Sequence, residues 1–331
     1  MSLPLSVNLM PNVPVPEVVA LGELAERLGY QRCWVYDEGL VTRDVYVTLA
    51  AIAARTDRIL LGPGITNPYV RHPGATAAAV ASLDELSGGR AFVGLGAGGA
   101  LTLAPLAIER KRPLTAVADT LEAFRELFAG RRVTMQSHSF AFDNARLTFG
   151  RPDIEIILAG RGPRMTELGG QKADGFYLSY IHKEIIGSHV RALRAAATDR
   201  PFSVVYSTMI ATCDAEFAEA RAALTFRLVD SPSDVKDRIG LTPERTQAIR
   251  AALAEGGPSH AAALIDDDWV PQFVITGSAD ECAAELRMLL ETHEIDEFQV
   301  PVQDAAQAAP LLERVAAMFG QPGVGVTGGS G

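Results

Sequence analysis

The chain has 331 residues, 48% of them hydrophobic and 21% charged, with a formal net charge of -10. This is globular composition, long enough to bury a large core and far from the signature of disorder. The acidic balance excludes a nucleic-acid or anionic-membrane partner over most of the surface, so any anionic ligand needs a local basic pocket. Cys33, Cys213 and Cys282 lie far apart with no C-x-x-C spacing. They suggest neither a zinc site nor a disulfide framework, and are expected to be small core residues in a reducing cytoplasm. The beginning of the chain lacks a basic stretch followed by a long apolar run, and no apolar segment approaches the ~20 residues of a membrane span, so neither secretion nor insertion is expected.

In chain order, Leu3 to Leu9 predicts a first strand, and the helical spacing of Val18, Leu21, Ala25 and Leu28 a first helix between Pro16 and Gly29. Cys33 to Asp37 is a second strand that delivers Asp37 and Glu38 at its C-terminal end, before a helix over Tyr46 to Arg55. Ile59 to Pro68 predicts strand three, and Pro73 opens an alanine-rich helix that stops at Ser87-Gly88-Gly89. Ala91 to Gly99 is strand four with its glycine loop, followed by an irregular stretch and a helix from Pro113 to Ala129. Gly130 to Pro152 is rich in loop residues and accommodates a small hairpin. Ile157 to Ser179 then reads as strand, Gly-Pro turn, helix and strand, and Phe202 to Cys213 as strand seven. The long departure Val229 to Pro271 carries a helix after Thr242-Pro243. Ser278 and Glu281 form a capping box for a helix reaching His293, Phe298 to Val302 is strand eight, and Pro310 to Phe319 the closing helix. Val324 to Gly331 reads as a flexible tail, leaving 1–322 as one domain.

Strands alternating with helices, with long gaps after strands four and seven, predict an α/β fold: a (β/α)8 TIM barrel with two insertions. Chemistry in such a barrel gathers where the strands end. Asp37-Glu38, Gly64 to Asn67, Gly96 to Gly99, Gly160 to Pro163 and Tyr177 to His182 all fall there. Gly160 and Gly162 allow close backbone approach, Pro163 suits a helix start whose free N–H groups favour negative charge, and Arg161 and Arg164 add cationic forks. The stretch therefore reads either as an anion cradle or as an ordinary strand-to-helix turn. Asp37 and Glu38 are either a general acid-base pair or a solvated strand end, and only one of two adjacent side chains can face a given ligand. Gly94 to Gly99 matches G-x-G-x-x-G, but with no helix directly after it and no acid closing the next strand, a flat ring at the barrel mouth fits better than a Rossmann site. Asp266-Asp267-Asp268 suits a solvated loop or cap rather than a metal site, so no metal is expected. His72 reads as a turn residue, and His182 stands where it could face either the site or the core.

The segments LGYQRCWVYDE, ILLGPGITNPYVRHP, AFVGLGAGG, ERKRP and ILAGRGPRMTELGGQKADGFYL together resemble the luciferase-like monooxygenase superfamily, and within it the deazaflavin-dependent reductases that use coenzyme F420. The resemblance runs from about Ala20 to Leu178 and returns weakly over Phe273 to Val300. It implies a non-prolyl cis peptide at Gly64-Ile65 behind a tricyclic ring, with Thr66 and Asn67 beside it. It further implies a ring-contacting acid at Asp37, Gly96, Ala97 and Gly98 near the ring, and a phosphate loop at Ala159, Gly160, Arg161, Gly162 and Pro163. Glu38 stands where relatives often carry His or Glu, and is the expected proton donor or acceptor, with Asp37 beside it. A hydride-transferring oxidoreductase acting on a small organic substrate is implied, and it is expected to be a cytoplasmic homodimer. Val229 to Pro271 carries no family motif, and its place beside strand seven makes it a candidate lid with Trp269 and Phe273 as walls. The same cradle would serve flavin mononucleotide in a two-component monooxygenase, or a flavin-binding barrel without catalysis.

Overall fold

Strands buried on both faces read as short apolar runs, and eight such runs close into one parallel barrel. The computed structural model describes residues 3–198 and 200–320, the side chains of Ala100 and Leu101 excepted, so the expected tail lies outside the described residues. The first half runs β1 (Leu5–Leu9), α1 (Val15–Arg27), β2 (Arg32–Val35), α2 (Val45–Ala53), β3 (Leu60–Pro63), α3 (Pro73–Ser87), β4 (Phe92–Leu95), the one-turn α4 (Ala100–Leu103) and α5 (Pro113–Phe128). A hairpin of β5 (Val133–Gln136) and β6 (Ala141–Ala145) follows, then β7 (Glu155–Ala159), α6 (Pro163–Lys172), β8 (Gly175–Ser179), α7 (Lys183–Ala196), β9 (Ser203–Ser207) and β10 (Ile210–Ala211). The chain ends through α8 (Asp214–Val229), α9 (Ser233–Arg238), α10 (Pro243–Ala261), β11 (Ile275–Thr276), α11 (Ala279–His293), β12 (Glu297–Val302) and α12 (Ala308–Met318).

The barrel order is β3-β2-β1-β12-β9-β8-β7-β4, every pairing parallel, and bridges Leu61–Ala91 and Thr66–Leu95 join its two ends. Alternation sends Leu5, Val7 and Leu9 outward into the core shared with the helices. Trp34, Phe92, Ile157, Ala159, Tyr177 and Val205 form a separate cluster inside the barrel. The seam between β3 and β4 closes because it is built of glycine. A Cβ on Gly94 would lie 2.4 Å from the Pro63 carbonyl oxygen and 2.7 Å from the Trp34 ring. Gly94→Ala is therefore expected to cost about 1–3 kcal/mol, the usual penalty of overpacking, read as a lower urea midpoint at unchanged slope.

Local signals account for the helix ends. The Ser278–Glu281 capping box is formed in both directions, Thr242 caps α10, and His72 caps α3 by accepting from the Gly74 N–H while its Nε2 faces the Ala141 carbonyl. Four expectations change. The run Phe202 to Cys213 is two strands: β9 belongs to the barrel, whereas β10 leaves it to pair with β11. The stretch after the glycine loop is not wholly irregular but contains α4. Cys213 is exposed at the start of α8, while Cys33 and Cys282 are buried. Trp269 is no cavity wall: it sits in a second core with Leu224, Ile249 and Phe273, its ring under Arg245. The Asp266 carboxylate pairs with Arg245, and Asp267 with Arg221. No described helix is long and apolar enough to cross a membrane.

Candidate active site

The C-terminal ends of the barrel strands enclose a cavity of about 630 Å3, well inside the roughly 300–1,000 Å3 of typical small-molecule sites. Asp37, Glu38, Gly64, Ile65, Asn67, Ala97 and Gly98 line one side, and Ala159, Gly160, Arg161, Gly162 and Pro163 the other. The glycine slot and the arginine loop therefore open into one space. The Gly64–Ile65 peptide is cis, and the Asn8 amide, from inside β1, donates to the Gly64 carbonyl at 2.7 Å. Two expected residues stand behind the wall rather than in it. Thr66 is buried with its hydroxyl donating to Asp37 at 2.8 Å, and Gly96 lies against Ile65, where a Cβ would meet Cδ1 at 2.3 Å. Thr66 thus orients an acid, and Gly96 leaves room for the Ile65 side chain.

The two acids diverge as adjacent residues must. Asp37 turns toward β3 and Thr66, whereas Glu38 turns toward α4 and accepts from the Thr102 hydroxyl at 2.5 Å. Burial pushes both carboxyls above the ordinary carboxylate range, opposed for Asp37 by the Thr66 hydrogen bond and for Glu38 by that from Thr102 and by the Arg227 charge. A carboxyl in that condition keeps its proton closer to neutral pH and can serve as an acid. Across the cavity, Gly162 caps α6 without a side-chain hydrogen bond and Pro163 opens it, while the Met165 N–H turns back to the Gly162 carbonyl at 3.0 Å, so the N–H groups free to meet an anion are those of the loop ahead of the proline. The Arg161 guanidinium donates to the Arg227 carbonyl at 2.9 Å. Burial, with the Arg227 charge nearby, pushes its pKa down to about 10. Asn67 Oδ1 accepts two backbone N–H groups, but its Nδ2 is buried in the cavity wall without a partner among the described residues. A donor without an acceptor, a glycine-backed slot and an amide cradle beside a guanidinium fit a flat, hydrogen-bonding ring that carries a phosphate.

Sequence reasoning missed much of the wall. Tyr36 lines it from just after β2, Tyr177 and Ser179 from β8, Thr102 from α4, Arg110 from the segment after it, and Arg227 and Ser231 from the end of α8 and beyond. Period-two alternation could have found Tyr177, since Phe176 and Leu178 on either side of it face the outer core. Nothing in the helical spacing of α8 distinguishes Arg227 from a solvated arginine. His182 does not reach this cavity: Nδ1 accepts from the Glu184 N–H, so Nε2 donates to Gln272 Oε1 at 2.8 Å, with Phe273 against the ring. Phe273 and His182 line instead a neighbouring cavity of about 440 Å3. Of the expected lid, only the Asp230–Pro232 turn borders the main cavity.

A family model described as luciferase-like monooxygenase matches residues 4–294. The chain belongs to the luciferase-like monooxygenase family. The match extends well beyond the segments that carried the resemblance. Among characterised members, 5,10-methylenetetrahydromethanopterin reductase of Methanolobus tindarius is 33% identical over 294 residues, covering 86% of this chain and 90% of the relative. The reductase of the same name from Archaeoglobus fulgidus is 31% identical over 287 residues, covering 83% and 86%. The solved structure of coenzyme F420 dependent tetrahydromethanopterin reductase from Methanopyrus kandleri superposes with a TM-score of 0.82 at 24% identity, over 96% of this chain and 99% of that one. The barrel fold is thus shared with that reductase over nearly the full described length.

Proposed function

We propose that the protein is a coenzyme F420-dependent oxidoreductase that moves a hydride between the deazaflavin and a small organic substrate. One observation carries the reading: Ile65 and Arg161, expected on opposite parts of one flat phosphorylated molecule, border the same 630 Å3 cavity. The Methanopyrus kandleri reductase that superposes over 96% of this chain is described as coenzyme F420 dependent, which supports the choice of cofactor. When bound, the deazaflavin supplies a two-electron hydride carrier, and the chain supplies orientation, dryness and protons. In this reading Gly64 and Ile65 back the ring, Asn67 Nδ2 donates to it, and Gly96 to Gly98 leave space at its edge. The backbone N–H groups of Gly160, Arg161 and Gly162, with the Arg161 guanidinium, hold the phosphate. Glu38 faces the substrate, and Asp37, fixed by Thr66, holds the rim of the slot.

Titration of the protein with F420, followed by quenching of its fluorescence and set beside the same titration with flavin mononucleotide, tests the assignment. Tight binding of F420 with weak binding of flavin is the expected result. The reverse preference, or no binding of either, overturns it. Arg161→Met removes one charge-assisted contact to the phosphate and is expected to weaken F420 by about 10- to 100-fold, from the ~1.5–3 kcal/mol of a hydrogen bond to a charged group.

A further inference from the structure

Around Arg227 the cavity wall carries donors that have no hydrogen-bond partner among the described residues. The half-buried Arg227 guanidinium lies over the Tyr180 ring at 4.7 Å and makes neither a hydrogen bond nor an ion pair with any described residue. Tyr180 itself borders the neighbouring cavity and serves here as the ring under the guanidinium. The Tyr36 oxygen accepts from Gln303 Nε2 at 3.0 Å, which leaves its own proton undonated, and the Tyr177 hydroxyl has no partner among the described residues. Tyr36, Tyr177, Tyr180 and Arg227 are close enough to act on one another's charge. Burial pushes the Tyr36 phenol up, so it remains a donor across the working pH range. Glu38 and Asp37 are the acids that border this part of the cavity; their carboxylates accept from the Thr102 and Thr66 hydroxyls, and Glu38 stands close enough for its charge to act on Arg227. Asp230 stands exposed at the rim by Arg161. Two phenol hydroxyls and a planar guanidinium on one wall are complementary to a group that only accepts, and a carboxylate is the compact, planar acceptor that matches the fork.

We infer that Arg227, with the hydroxyls of Tyr36 and Tyr177, forms a carboxylate-recognition site that selects a substrate bearing a carboxylate near its reacting carbon. The inference rests on the F420 reading and narrows its substrate class. Arg227 is then a specificity-determining residue for the reaction, and its loss should raise KM far more than it lowers affinity for the cofactor.

Oxalate titrated into F420-loaded protein by calorimetry provides the test. The expected result is saturable binding that does not displace F420 and that Arg227→Met weakens by about 10- to 100-fold, with F420 affinity unchanged. Arg227→Lys is expected to recover part of that loss, and Tyr177→Phe, which removes one oxygen from a retained ring, to lose about 3- to 10-fold. Absence of oxalate binding to the loaded wild type, or equal binding by Arg227→Met, overturns the inference. Competition between oxalate and F420 also overturns it, since the site would then hold an anionic group of the cofactor. Should wild-type protein fail to bind F420 at all, the cofactor reading falls alone, and the oxalate titration of the unloaded protein still decides whether Arg227 holds a carboxylate.

Discussion

Glu38→Gln is expected to lower turnover by about 100- to 10,000-fold, the range contributed by a positioned general acid, while leaving F420 affinity within about twofold of wild type. The substitution keeps the shape of the side chain and one acceptor for the Thr102 hydroxyl, so the wall of the cavity survives and only the exchangeable proton is lost. The pH profile supplies the sharper readout. Burial raises the Glu38 pKa, with Asp37 adding to the rise and Thr102 and Arg227 opposing it. If Glu38 delivers a proton, turnover is full below that raised value and falls as pH climbs through it. The Gln variant, with nothing to titrate, should lose this alkaline limb along with its activity. A variant that turns over within about threefold of wild type on the same profile would remove Glu38 from the chemistry and leave it a wall residue.

The acids at the end of β2 were legible because the barrel reading alone places them at a strand terminus, where loops converge. The same reasoning located Gly64 to Asn67 and Gly160 to Pro163. It could not separate wall from backing: Thr66 and Gly96 are adjacent to true lining residues, and only the coordinates show one hydroxyl turned to Asp37 and one Cα pressed on Ile65. Strand limits were overdrawn where apolar character continues past the ladder. Ile59 to Pro68 contains only Leu60–Pro63 as strand, because hydrophobicity reports burial and not pairing. Phe202 to Cys213 fails in the same way, a single apolar run serving two sheets. Trp269 was misassigned because an aromatic in an insertion can fill that insertion's own core as readily as line a site, and here Leu224, Leu228 and Ile249 surround it. Arg227 was invisible because an arginine on an amphipathic helix is ordinarily solvated, and what marks it, the absence of any acceptor, is a property of three dimensions.

The opposite end of the barrel should respond in stability rather than in function. Arg32, Glu155 and Glu297 open β2, β7 and β12 and meet inside the barrel, with Arg32 Nη1 2.5 Å from Glu155 and Nε 2.8 Å from Glu297. Phe92 lies under the guanidinium at 5.2 Å. Arg32→Met fills much the same volume but strands Glu297, which is 5% exposed and whose Oε1 already lacks a partner among the described residues. Breaking a buried pair from one side costs about 3–5 kcal/mol, expected here as a large fall in the denaturation midpoint. The deficit should depend on pH with a definite sign. Burial already raises the Glu297 pKa against the pull of Arg32, and without Arg32 it rises further. A carboxyl that holds its proton more tightly folded than unfolded loses stability as pH rises between its two values, so the variant should recover toward wild type as pH falls. Replacing the pair together, Arg32→Met with Glu297→Leu, removes the stranded charge and should restore most of the loss. F420 binding should be unchanged in both variants, because the triad sits at the strand starts and the cavity at the strand ends. A stability loss under about 1 kcal/mol in Arg32→Met, or an equal deficit at every pH, would mean that water reaches this end of the barrel and that the charges there are solvated rather than paired.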